Sequence, residues 1–356
     1  MSAEAYAPGR VELLGNHTDY NEGVVLGAAI DRGLNVTGER REDGLIVVHS
    51  AVMGRLEIPR TQLRPQQEHC WANYALGVAS ELSSLAIPIE GFDVTIEGNL
   101  PLGCGLSSSA AVAVATAFFL LKLYERDLAP LQIAKLCQRA EHRFAGVQSG
   151  LLDQVCSIFG RADHAVFFDA RSERVEIVPF PRGLSLVIAE SRHKRELASG
   201  LYNERRKETR AAAAQLGVPA LRDVSDATLK KSNLSPHLLR RARHIVGENE
   251  RVSNALELLA HGDGMGFGAL MNESHESSRT NFENSTRELD LLVNIARGLP
   301  GVLGARLTGG GFGGATVTLC ETERAGQIAE QLRRQYASSA ACMPRIFVCK
   351  IADGAH

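Results

Sequence analysis

The chain has 356 residues, 44% hydrophobic and 22% charged, with a formal net charge of -2. That length supports a large core and two domains of ordinary size, and the composition is that of a globular protein rather than a fibrous or disordered one. A charge so close to zero gives no general attraction to nucleic acid or to an anionic membrane, so any phosphate has to be held locally, by loops and single basic residues.

The chain opens with PGRVELLGNHTDYNEG at residues 8–23, where Arg10, His17 and Asp19 crowd together beside glycines. A solvated loop collects charges in the same way, so the stretch assigns nothing by itself. Period-two alternation predicts strands at 44–49 and 92–97. Helical spacing predicts helices at 71–82, 108–124 and 131–144. Strands follow at 165–169 and 184–189. The texture then becomes helical, at 201–216, 236–261 and 265–276, before a strand at 315–319, a helix near 324–336 and a strand at 345–349. No tandem repeat or low-complexity linker interrupts the pattern. The expectation is an α+β protein of two lobes in close contact, residues 1–183 and 184–356.

Seven cysteines, an odd number, show no CxxC or Cys/His metal spacing, and most sit in apolar runs. Buried free thiols in a reducing compartment are expected. The N-terminus lacks a basic segment followed by an apolar one, and the longest apolar run, 110–121, is too short to span a bilayer. The chain therefore reads as a cytoplasmic monomer without nucleic-acid or membrane partners.

Two glycine-rich stretches stand out. In NLPLGCGLSSSAA, residues 99–111, a predicted strand runs into a Pro/Gly loop and then a small-residue helix. The first N–H groups of a helix have no internal partner and lie at its positive end, and Gly103 and Gly105 let an anion approach the backbone. Ser107, Ser108 and Ser109 add hydroxyls for phosphate oxygens or a metal. A single serine would serve as an N-cap; three after a double glycine exceed that need. The Walker lysine and the protein-kinase HRD and DFG elements are missing. The second stretch, LTGGGFGGA at 307–315, formally matches GxGxxG, but it leads into an alternating strand rather than a βαβ unit. That argues against a nicotinamide-dependent oxidoreductase and for a glycine wall that admits a ligand or another loop.

PGRVELLGNHTDYNEG, LPLGCGLSSSAA and RLTGGGFGGATVTL, in that order, resemble the three motifs of the GHMP kinases, and the first is similar to the galactokinase signature. WANY at 71–74, AEH at 140–142, GLLDQ at 150–154 and YNERR at 202–206 extend the resemblance over nearly the whole chain. It implies ATP-dependent phosphorylation of a sugar at its anomeric hydroxyl, with galactose the leading substrate. It also implies a ribosomal-protein-S5-like N-terminal lobe, a ferredoxin-like C-terminal lobe, and an active site between them. On this resemblance Asp153 and Arg10 lie at the reacting oxygen, while Asn16, His17, Asp19, Gly150 and Tyr202 face the sugar. Trp71 lines the adenine pocket, and Gly103, Cys104, Gly105, Leu106, Ser107, Ser108 and Ser109 form the phosphate loop. Ser109 and Glu141 take the Mg²⁺-associated positions.

The chain departs from the family pattern in three places. Galactokinases usually carry Asn where this chain has Glu12, and Glu where it has Asn16. In the family that glutamate meets the sugar's C6 hydroxyl, and a neutral amide accepts such a bond more weakly. Galactose would then be held less tightly at C6, through a water, or by Glu12 reaching across; a uronic acid or another hexose is a second possibility. Gly27 stands where proline is common, and Cys104 replaces a glycine, its side chain expected to face away from phosphate. A sugar- and ATP-binding regulator without catalysis is a rival on the same scaffold, although Ala110, Ala111, Arg10 and Asp153 are all present.

Overall fold

The crowded opening stretch begins as buried strand, to Leu14, and turns only over residues 15–23. The structure, a computed structural model, describes residues 1–192, 198–340 and 342–356. β1 (Ser2–Leu14) pairs antiparallel with the long β2 (Val24–Arg40), and from Ala7 to Leu14 every residue of β1 is buried. A strand covered on both faces has no polar face to alternate with, so its period-two signal disappears. The same holds for the first half of β2.

These two strands belong to a seven-stranded sheet with β3 (Leu45–Ser50), β4 (Gly54–Pro59), β5 (Phe92–Gly98), β6 (His164–Asp169) and β7 (Arg174–Pro179). Its order is β4-β3-β5-β2-β6-β7, with β1 beside β2, and only the β3–β5 pairing is parallel. Against it pack α1 (Asn73–Ser84), α2 (Ser108–Leu123), α3 (Pro130–Ala140) and α4 (Leu152–Phe159), through a core that includes Phe92, Phe119 and Phe168. The helix expected over 131–144 ends at Ala140 and passes into a wider π-turn at Glu141–Ala145, closed by Gly146 in the left-handed region. The one expected from residue 71 starts two residues late, after a 3₁₀ turn at Cys70–Ala72.

The second half adds α5 (Ala198–Gln215), α6 (Asp226–Lys230), α7 (Pro236–Ala260), α8 (Gly264–Ser277) and α9 (Arg287–Arg297), then α10 (Ala325–Ala340). Its sheet contains β8 (Leu184–Glu190), β9 (Val302–Thr308), β10 (Ala315–Glu321) and β11 (Arg345–Cys349), all antiparallel, in the order β11-β8-β10-β9. Chain order against sheet order is 4-1-3-2 with helices after the first and third strands, the ferredoxin-like arrangement. β7 closes one sheet at Pro179 and β8 opens the other at Leu184.

A second hydrophobic cluster joins the lobes: Val11, Leu13 and Leu26 of the first sheet meet Val252 of α7, Phe267 of α8 and Val317 of β10. All seven cysteines are free thiols. No helix among the described residues is long and apolar enough to cross a membrane.

Candidate active site

β1 delivers Arg10 and Glu12 to one face, two residues apart, as strand pleating requires. The turn that follows carries Asn16, His17 and Asp19, and all five line one cleft of about 560 Å³ between the lobes. Asn16 is fully enclosed. Its amide donates to Glu12 Oε1 at 2.7 Å and to the Gly309 carbonyl at 2.8 Å, and its oxygen accepts from Asn284 at 2.8 Å. His17 adopts a left-handed conformation (φ 62°). Its Nε2–H donates to the Gly310 carbonyl at 3.0 Å, and its Nδ1 accepts from the Tyr20 hydroxyl at 2.7 Å. Burial pushes the imidazole down to about 3, so the ring is neutral at pH 7 and both nitrogens are engaged within the protein.

Asp19 is pushed up to about 6, first by burial and then by the nearby Asp153. It packs directly on Gly150: a Cβ there would stand 1.6 Å from Asp19 Oδ2. Glycine at 150 is therefore a condition for where Asp19 sits. Tyr202, on α5, stacks its ring near His17 and Tyr20, with centroids at 4.9 and 5.4 Å, and also lines the cleft.

At the other side of Arg10 stands Asp153, in the first turn of α4. Arg10 Nε donates to Asp153 Oδ1 at 2.8 Å, its Nη2 lies 2.6 Å from the same oxygen, and its Nη1 donates to the Gly105 carbonyl at 2.7 Å. Burial opposes the guanidinium charge, but Asp153 and Glu12 outweigh it and hold Arg10 above its ordinary range. Ser107 sits at the cap position of α2 with φ 58°, yet its hydroxyl bonds Asp153 Oδ2 and not the helix. The leading N–H groups of α2 consequently keep no side-chain cap, and Gly103, Gly105, Ser108 and Ser109 open onto the same cleft. Gly103 and Gly105 both have positive φ, and a side chain at Gly103 would point into open space. Leu106 and Cys104 instead bury their side chains in the interlobe cluster and do not line the cleft, and the Leu106 carbonyl accepts the Arg10 backbone N–H.

The far end of the cleft is more apolar, with Trp71, Tyr74, Leu34 and Leu102 along it. Among the described residues the Trp71 indole N–H has no partner. Between the two ends Glu141, buried and raised above its ordinary value first by burial, accepts from Ser149 at 2.8 Å and Gln154 at 3.1 Å and is bonded by Ser109. Among the described residues no three His, Cys, Asp or Glu side chains cluster as a metal cage. A carboxylate and a hydroxyl side by side, with Gln154 Oε1 also lacking a partner, are hard oxygen donors of the kind Mg²⁺ takes when phosphates and water supply the rest.

The glycine wall of 307–315 is the β9–β10 turn. Gly309, Gly311, Gly313 and Gly314 have positive φ, and a Cβ at Gly311 would meet the Asn284 carbonyl oxygen at 2.2 Å. The tight turn aims the Gly309 and Gly310 carbonyls at Asn16 and His17, so it holds another loop. Gly27 is explained by packing as well, since a Cβ would lie 2.6 Å from Cys156 Sγ.

Sequence reading missed the residues that support this site from the second lobe. Glu248 on α7 accepts the N–H groups of Gly15 and Asn16 at 2.9 and 2.8 Å and pairs with Arg251 at 2.7 Å. His244, one turn earlier, donates to the Asn16 carbonyl at 3.1 Å. Arg306 on β9 bonds the Leu13 carbonyl and Glu12, and Thr308 bonds the Glu12 backbone. One signal was available. His244 and Glu248 fall four apart among Ile245 and Val252, on the buried face of a helix, where an unpaired charge is costly.

Family models match three parts of the chain: the galactokinase galactose-binding signature at residues 3–40, the GHMP kinases N terminal domain at 73–161, and the GHMP kinases C terminal domain at 255–338. The chain is 39% identical over 355 residues to a galactokinase of Roseiflexus sp. (strain RS-1), covering 98% of this chain and 91% of that one. It is 40% identical over 362 residues to the Homo sapiens galactokinase, covering 98% and 90%. Among solved structures, Lactococcus lactis galactokinase complexed with galactose superposes with a TM-score of 0.95 at 31% identity, over 100% of this chain and 95% of that one. Methanococcus jannaschii mevalonate kinase shares the fold, with a TM-score of 0.73 at 21% identity over 99% and 98%.

Proposed function

The chain belongs to the galactokinase family of the GHMP kinases, and on that premise we propose that it transfers the γ-phosphoryl group of ATP to the anomeric hydroxyl of galactose. The products are galactose 1-phosphate and ADP. The observation that carries this reading is the position of Asp153, whose carboxylate is gripped by Arg10 on one side and by Ser107 of the phosphate loop on the other.

Phosphoryl transfer has a loose transition state, so positioning and charge stabilisation provide most of the acceleration. Asp153 takes the proton of the C1 hydroxyl as its oxygen bonds to phosphorus and the bond to the departing ADP oxygen breaks. Arg10 fixes that carboxylate through its Nε and Nη2 groups and sets positive charge beside the transferring group. The uncapped N-terminus of α2, with Gly103 to Ser109, receives the phosphates, and Trp71 borders the base. Asn16, His17, Asp19, Gly150 and Tyr202 enclose the sugar. Ser109 and Glu141 would hold Mg²⁺, which would supply positive charge against that of the phosphates. The same reading takes residues 1–183 and 184–356 as the two domains and the protein as a cytoplasmic monomer.

Purified protein with MgATP and a panel of hexoses, uronic acids and N-acetylhexosamines tests the proposal, with ³¹P NMR locating the new phosphoryl group. Galactose is expected to turn over fastest, with phosphate on C1. Absence of transfer to any sugar, or phosphate on another carbon, would refute it.

A further inference from the structure

Glu12 is an unusual group to find at the bottom of a sugar cleft. The residue is only 6% exposed, and its two carboxyl oxygens have different surroundings. Oε1 accepts from Asn16 at 2.7 Å and from Arg306 at 3.1 Å. Oε2 has no hydrogen-bond partner among the described residues, and the side chain lines the cleft beside Arg10. Asn16 is in turn immobilised by Gly309 and Asn284, so both of its amide hydrogens are used within the protein. Of the Glu12–Asn16 pair the free acceptor therefore belongs to Glu12, and Asn16 fixes its carboxyl group in place.

Position along β1 says which part of a substrate meets it. Arg10 stands at the reacting oxygen in the function proposed above, on which this inference rests. Glu12 follows on the same face one pleat repeat away, about 6.5–7 Å. That is roughly the span of a pyranose ring, and it places Oε2 opposite the ring's far side from C1.

We infer that Glu12 is the specificity-determining residue of this chain, accepting a hydroxyl on C4 or C6 of the sugar through Oε2, with Asn16, Asn284 and Arg306 as its positioning residues. An anionic substituent at C6 would face this carboxylate, so uronic acids are rejected by charge rather than admitted by the neutral Asn16. Burial pushes Glu12 up to about 7, against the pull of Arg306 and Arg10, while Asp19 adds to the rise. The buried Cys156 thiol also faces it and stays neutral. A sugar hydroxyl favours the ionised acceptor, so binding strengthens as pH rises through this range.

The test compares galactose, 4-deoxygalactose, 6-deoxygalactose and galacturonate as substrates between pH 6.5 and 8.5, for the full chain and its Glu12→Gln variant. Asp19, pushed up to about 6, titrates near the lower edge of the window, and the Glu12→Gln arm separates its contribution from that of Glu12. In the wild type, KM for galactose should fall several-fold across the window. One of the two deoxy sugars should lose that pH dependence along with about 10-fold or more in kcat/KM. Glu12→Gln should flatten the galactose profile, narrow the gap between galactose and that deoxy sugar, and raise turnover of galacturonate relative to galactose. The inference is overturned if both deoxy sugars keep the wild-type pH profile, if Glu12→Gln keeps it, or if wild-type enzyme uses galacturonate as well as galactose. The deoxy-sugar comparison needs no variant, so poor folding of Glu12→Gln would not leave the question open. Phosphorylation of galactose with no Glu12 signature would sink this inference alone; phosphorylation of no sugar would sink the sugar-kinase reading with it.

Discussion

Glu248 provides the sharpest test of how the sugar loop is held. It is wholly buried, and among the described residues its carboxylate bonds the backbone N–H groups of Gly15 and Asn16 and the side chain of Arg251. Burial alone would raise its pKa; Arg251 and the Asn16 N–H overcome that and hold it well below the ordinary carboxylate range. Replacing it by alanine orphans a mostly buried guanidinium and two buried N–H groups at once. Breaking a buried pair from one side costs about 3–5 kcal/mol. For a chain of this size, at roughly 2 °C per kcal/mol, Tm should drop by about 6–10 °C. The loop it anchors carries the left-handed His17, so KM for sugar should rise as well, with a smaller change in kcat at saturation. The comparison variant Arg251→Met leaves both loop bonds in place, and should lower Tm while sparing KM. Because the folded carboxylate is depressed, its contribution is complete above the unfolded value and is lost as pH falls below about 4.5. Acid unfolding of Glu248→Ala should accordingly be shallower than that of the wild type. Thermal melts followed by circular dichroism and steady-state kinetics decide the matter. A Glu248→Ala protein with wild-type Tm and wild-type KM would show that the anchoring argument is wrong.

Asp153→Asn should cut kcat by about 10²–10⁴-fold with sugar affinity, measured by calorimetry, largely retained; unchanged turnover would remove Asp153 from the chemistry. Gly150→Ala drives a methyl into Asp19 and should lower kcat/KM for galactose by about 10–100-fold, the worth of hydrogen bonds to a charged group, while the melting temperature in the absence of sugar changes little. Glu12 is held at about 7 in the fold against an ordinary 4.5, so the folded state binds the extra proton and loses stability as pH rises between those values. Urea denaturation at pH 8 should therefore find Glu12→Gln more stable than wild type, by up to about 3 kcal/mol, with the advantage gone by pH 4.5. A variant equally stable or weaker at pH 8 would contradict it.

Legibility in the sequence followed physical type. Half-buried strands such as β5 and amphipathic helices such as α7 and α10 advertise their period and were readable to within a few residues. β1 and β2 escaped because burial on both faces erases alternation, and Arg10 and Glu12 look like loop charges until Asp153 and Arg306 are seen beside them. The uncapped glycine turn at 103–109 was legible from its letters, but the hydroxyl of Ser107 goes to Asp153, a partner 46 positions away that no spacing announces. The exchange of Glu12 and Asn16 was visible as letters. That the two are bonded to each other, with one carboxyl oxygen left over, is a three-dimensional fact. Asn284 and Glu248 carry no motif, because they act by holding Asn16 and its turn, and any sequence around them would serve if the geometry were kept.

The clamp on residues 15–17 has a bearing on how the enzyme moves. These residues belong by connectivity to the first lobe, yet Glu248, His244, Asn284 and the Gly309 and Gly310 carbonyls all come from the second. A hinge rotation of one lobe against the other would tear that seam, so this end of the cleft is held as a fixed socket. Any adjustment to a ligand then falls to the opposite rim, where the β3–β4 hairpin tip leaves Val52 79% exposed along the same cleft as Trp71.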